Sequence, residues 1–191
     1  MAEAVPGRAV AERGAEVPAA ATWGLLLAFA VHDAEELATM SRWSHRRYER
    51  LRARYPDLPP RLLSALRMSP GHAATAIGLV GLVVAAAAAD GARTGGRSGF
   101  YQTVLAGFGL HAVTHVGQSA LARGYTPGVV TAPLVVAPFS WWAWQQLRRA
   151  GVLRDGGSQS AATALLFPAV IAGAHAGAWG LRLLVRRARR R

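Results

Sequence analysis

An all-α bundle, a polytopic membrane protein of about five transmembrane helices, is the fold this sequence predicts, and three observations predict it. Five apolar segments approach or reach the roughly 20 residues a helix needs to cross a bilayer. They are residues 20–40, 72–89, 100–121, 127–147 and 161–184. Hydrophobic residues make up 52% of the 191 and charged residues 17%, which separates the chain from disordered segments and from ordinary soluble enzymes. The 22 basic residues are all arginine, and they gather in the gaps between the apolar segments. The formal charge of +12 therefore lies on no single helix face, and no helix-turn-helix or RNA-binding signature accompanies it. This argues against nucleic acid and for a lipid bilayer as the partner. The absence of cysteine removes disulfides, thiolate metal sites and cysteine nucleophiles together.

Residues 1–19 mix Arg8 and Arg13 with Glu3, Glu12 and Glu16, a poor match to the charged end of a signal peptide. They read as a disordered arm ahead of an uncleaved span. The first segment is apolar to Val31 and then carries His32, Asp33, Glu35 and Glu36. The basic and aromatic stretch 41–71, with Trp43, His45, Arg46, Arg47 and Tyr48, suits a short helix on an anionic membrane surface or a plain retention charge. The second segment has no ionisable group between Ala73 and Ala89. After the third comes Gly124-Tyr125-Thr126-Pro127-Gly128, in which Thr126 is suited to cap the fourth span and Pro127 to be its first helical residue. The fifth has Gly173 and Gly177 at the spacing that lets helices approach closely, which leaves a homo-oligomer open. Residues 186–191 form a basic tail that anchors its end.

Fifteen arginines, counting Arg182 at the end of the fifth segment, fall on one side of such a bundle and seven on the other. The positive-inside rule then puts the N-terminus outside and the C-terminus in the cytoplasm of a multi-pass cell-membrane protein. Trp23, Trp141, Trp142 and Trp144 fall near the outer interface, where indole rings are favoured.

The first segment holds residues that do not belong in a membrane. An acid near a span centre costs roughly 2.5–3.5 kcal/mol, and a Leu or Phe returns only about 0.3–0.6. The acids must therefore be neutralised by protons, a metal or partner side chains, and such residues mark a functional interior. At about 100° per residue, His32, Glu35, Glu36 and Thr39 share one stripe and Asp33 points away from it. The third segment has a stripe of its own: His111, Thr114, His115 and Gln118. Two imidazoles at i and i+4 can grip one ion from a single helix face. By helical rise His32, His111 and His175 all lie about 17–21 Å into parallel spans, with Glu36 and His115 a turn deeper. His32, Glu36, His111 and His115 are the expected metal ligands, Glu36 being chosen over Glu35 because its depth matches His115. Glu35 is the expected base and Tyr125, at the cytoplasmic mouth, the second catalytic candidate. His45 and His72 read as interfacial, and His175 is left undecided between site and packing.

In this order, His32-x-x-Glu35-Glu36, then His111 or His115, then Tyr125-x-Pro127-Gly128 resembles the HXXEE-domain family of bacterial integral membrane proteins. The resemblance runs from Thr22 to about Trp144 and implies a membrane location. It implies no activity and does not reach the fifth segment.

The residues themselves point to an intramembrane metal-dependent enzyme, a hydrolase with zinc or iron held by nitrogen and oxygen ligands. Its substrate would be a lipid-like small molecule from the cytoplasmic leaflet. A proton-coupled carrier would use the same carboxylates, but no internal repeat is visible. A non-catalytic assembly protein with a buried polar cluster is the third reading.

Overall fold

The computed structural model describes residues 16–154 and 156–188, and all regular structure among them is helical. Helix α1 spans Ala19–Arg54, α2 Pro60–Ala65, α3 Pro70–Arg93, α4 Gly99–Ala122, α5 Ala137–Arg149 and α6 Gly156–Ala188. A π-helical turn, Ala132–Val136, leads into α5. Most of the expected N-terminal arm and the end of the basic tail lie outside the described residues.

The boundaries follow local chemistry. Ser69 caps α3 by accepting from the His72 amide, with Pro70 as its first residue. Ser98 caps α4 by accepting from the Tyr101 amide. Helix α4 stops at Arg123, which takes a left-handed conformation ahead of Gly124. Two expectations need correcting. Residues 41–54 of the basic stretch are not a separate loop, because α1 runs on through them to Arg54 and is 36 residues long in all. No Gly or Pro interrupts residues 38–55, and the helix ends only where Pro56 pushes Tyr55 out of the helical region. Nor does Thr126 cap the fourth span. Its carbonyl accepts from the Val129 amide in a turn, and regular helix begins at Thr131. There Pro133 withholds an amide from the ladder, and Ala137 N–H bonds Ala132 O five residues back.

The core is shared by five elements, α1, α3, α4, the π turn and α5. Leu25, Ala28 and Phe29 of α1 meet Val84 of α3, then Tyr101, Leu105, Phe108 and Ala112 of α4, and finally Ala132, Val136, Ala143 and Leu147. Helix α6 joins through small residues, with Ala174 and Ala178 against Ala76 of α3. At one end Gln102 staples two loops. Its amide donates to the carbonyls of Gly96 and Val152, each at 2.8 Å, and its oxygen accepts from the Arg154 amide. The outside is apolar: Leu27, Leu82, Val113, Leu134, Trp141 and Leu165 are all exposed.

Among the described residues two helices are long and apolar enough to cross a membrane, α3 and residues Thr163–Ala188 of α6. The others fall short for identifiable reasons. Helix α1 carries acids and arginines, α4 carries its histidines and Gln102, and α5 has 13 residues.

The α3–α4 contact depends on Gly91, where an added Cβ would stand 2.6 Å from Tyr101 Cγ. Tyr101 is fully buried, and its hydroxyl donates to the Ala21 carbonyl of α1. Gly91→Ala should therefore lower stability by about 1–3 kcal/mol. Gly78→Ala, on the same helix with nothing within 4 Å, should leave stability unchanged or raise it by up to about 1 kcal/mol. Thermal unfolding of both variants in detergent checks the pair.

Candidate metal centre

The polar stripes of α1 and α4 face each other. One donor atom from each of His32, Glu36, His111 and His115 lies within 4.8 Å of all the others, so the group could hold a metal ion. His115 Nε2 is 2.8 Å from His111 Nε2 and 3.3 Å from Glu36 Oε1. His32 stands edge-on to both, with ring centroids 5.1 Å from His111 and 4.9 Å from His115. His32, Glu36 and His115 are buried, and His111 is partly covered by the Phe167 ring of α6 at 5.7 Å.

Two hydrogen bonds decide which nitrogens face the centre. His115 Nδ1 is 2.8 Å from the Pro127 carbonyl, which can only accept. The Nδ1 must therefore carry the proton, and in the neutral ring Nε2 presents its lone pair. His32 Nδ1 is 2.8 Å from Thr131 Oγ1, and the Thr131 hydroxyl proton goes to Glu35 Oε2 at 2.6 Å. Thr131 thus accepts from His32 Nδ1–H, and His32 Nε2 turns a lone pair inward. That atom is buried without any hydrogen-bond partner. A bare imidazole nitrogen and a second pair of nitrogens 2.8 Å apart make sense when a proton or cation lies between them.

Glu35 has another place. Its Oε1 accepts from the Tyr125 hydroxyl at 2.7 Å and the Val130 amide at 3.3 Å, and its Oε2 from the Thr131 amide at 2.8 Å besides the hydroxyl. Tyr125 also contacts Thr39 Oγ1, and its carbonyl accepts from Trp43 Nε1 at 2.8 Å. Partial burial pushes the Tyr125 hydroxyl above its ordinary value, and the Glu35 carboxylate adds to this, so it remains a donor at neutral pH. The turn 125–131 is fastened to α1 by these bonds, and the stripe of α1 then splits its work. Glu36 turns to the cluster and Glu35 to the turn.

Asp33 departs from expectation. Asp33 does not point away; it is buried, and together with Glu36, His111 and His115 it lines a cavity of about 660 Å³. Helix α1 packs against α3, α5 and the π turn, so its buried arc is wider than one stripe. His72 is buried, with Nε2 3.0 Å from His175 Nδ1 and the two rings stacked. His175 therefore pairs with α3 and stands outside the four-residue cluster. Thr131 and the Pro127 carbonyl are participants that no spacing rule singles out.

Gly128 closes the site from behind. It holds φ +81°, and a Cβ there would meet His115 Cε1 at 2.7 Å and His32 Cε1 at 2.8 Å. Gly128→Ala should displace both rings, weakening binding of a divalent ion by at least about tenfold, the scale of lost orienting contacts. Isothermal titration with Zn²⁺ measures this, with Gly124→Ala, whose added Cβ has space, as the control.

The model of a family described as "Protein of unknown function with HXXEE motif" matches residues 23–143. No curated protein and no solved structure matches the chain. The matched region holds the four cluster residues together with Glu35, Tyr125 and Thr131, and it ends before α6. With well over half of its length matched, this chain belongs to the HXXEE family.

Proposed function

We propose that the protein is a multi-pass membrane enzyme that uses one divalent metal ion to hydrolyse a lipid-like substrate. The observation that carries this reading is the convergence of His32 Nε2, His111, His115 Nε2 and Glu36, all but His32 lining the cavity, with two imidazole tautomers fixed by hydrogen bonds. Three imidazoles and one carboxylate, without sulfur, suit Zn²⁺ or Fe²⁺. Such an ion would supply Lewis acidity towards a carbonyl or phosphoryl oxygen and activation of water.

The chain's own residues divide the remaining work. Glu36 is assigned as ligand. Glu35, all of whose acceptor capacity goes to the 125–131 turn, orients His32 through Thr131 in place of acting as base. Carboxylate-to-imidazole relays of this kind hold a ligand ring in its binding tautomer. Tyr125 secures Glu35 at the mouth. Phe108 and Phe167 shelter the histidines, which keeps the centre in an apolar setting. The apolar outer surface and the arginine distribution support five spans with the N-terminus outside, α4 crossing although its histidines and Gln102 lower its hydropathy, and the segment 127–147 crossing although α5 itself has 13 residues.

Purified protein should contain about one divalent ion per chain by elemental analysis. His111→Ala and His115→Ala should abolish that content. Thr131→Val, which keeps shape and removes the acceptor for His32 Nδ1–H, should weaken affinity by about 10–100-fold. Full metal content in all three variants would sink the metal reading.

The topology has its own test, made clean by the absence of native cysteine. A cysteine at Arg47, exposed on the far half of α1, should react with a membrane-impermeant thiol reagent only after the cells are opened. Labelling in intact cells would reverse the orientation.

A further inference from the structure

The cavity that abuts the cluster says something about the molecule it takes. Its volume, about 660 Å³, is that of a site for a ligand with tens of heavy atoms. Val80 of α3, Phe108 of α4 and Leu166 and Ile171 of α6 make its walls apolar. Among the described residues no arginine lines it, and the charged groups that do are the carboxyls of Asp33 and Glu36. Glu36 is committed to His115 at 3.3 Å. Asp33 is not committed: it is 6% exposed, and its Oδ2 is buried without a hydrogen-bond partner. A buried carboxyl oxygen without a donor is costly, and an occupant that brings a donor removes that cost. Away from the ion that the histidines and Glu36 would hold, an anionic head would meet the Asp33 carboxyl and no cationic side chain.

We propose that Asp33 is a substrate-binding residue, and that the chamber takes a long-chain amphiphile that carries, beside the bond to be hydrolysed, an uncharged or cationic hydrogen-bond donor, an alcohol or an amine. This rests on the reading above that the chamber is where substrate binds. Asp33 holds the head beside the histidine cluster while the chain lies along α3 and α6. Fatty acids and alkyl phosphates of the same length are poor ligands.

The test uses four photoreactive C12 probes that differ only at the head: amine, alcohol, carboxylate and phosphate. Each is crosslinked to the full chain in phosphatidylcholine nanodiscs, and the modified residues are mapped by mass spectrometry. The amine and the alcohol should label chamber residues such as Val80 and Ile171 at least about tenfold more than the two anions, on the scale of one unmet buried polar group. Asp33→Ala should remove this preference, and Asp33→Asn should keep it for the alcohol and lose it for the amine. Val80→Trp, which fills the chamber and touches no carboxyl, should lower labelling by all four probes. Thermal unfolding confirms that each variant is folded, and if Asp33→Ala is not, the Asp33→Asn split between alcohol and amine decides. Equal labelling by the four heads, a preference for an anion, or unchanged selectivity in the Asp33 variants would overturn the proposal. Repeating the series with His111→Ala separates the two readings. Head selectivity that survives in protein without metal leaves Asp33's role standing while the metal enzyme fails, and metal binding without head selectivity does the reverse.

Discussion

A buried imidazole has two nitrogens to satisfy and no water to do it, and the centre of this molecule is arranged around that requirement. His32 and His115 each hand Nδ1–H to the 125–131 segment, one through Thr131 and one to the Pro127 carbonyl. The segment can stand there because Glu35 takes four donors from it, and because Gly128 brings its backbone against both rings without a side chain. The path of the chain between α4 and α5, the rotation of α1 and the inward lone pairs of the cluster are thus one solution to one problem. Removing any member leaves another buried polar group without its partner, which is the expensive kind of loss.

Much of this could be read before the fold was known, since ionisable residues inside apolar segments announce themselves by their cost. His32, Glu36, His111 and His115 stand out on that ground, and helical spacing places them on facing stripes. What spacing could not give is the second partner of each side chain. Glu35 and Glu36 are neighbours with the same chemistry, and only the position of the 125–131 turn separates their duties. A single-stripe picture assumes one buried face and so misplaces Asp33, whereas α1 is packed by α3, α5 and the π turn. Nor does spacing show that the ring of His72, at the start of α3, meets His175 from α6.

Helix α6 holds a different position in the molecule from the rest. It lies beyond the region matched by the family, but it supplies Phe167 over His111 and one whole wall of the chamber. Its contact with α3 is made by Ala174 and Ala178 and by the stacked rings of His72 and His175, and Pro168 removes a backbone donor within it. The matched region therefore builds the centre, and a helix outside it shapes the space in front.

The π turn at Ala132–Val136 amounts to one surplus residue in the path of a helix. Everything after it is rotated by about 100° from where an uninterrupted α-helix would put it. In the shorter frame each slot would pass to the next residue along the chain. Trp141 would take the place of Ser140, Trp144 that of Ala143, and Arg148 that of the fully buried Leu147. Two indoles would be forced into gaps sized for small side chains, and a guanidinium into a leucine's. A single extra residue, inserted where two prolines already disturb the ladder, thereby sets which face of α5 is a seam and which is a surface.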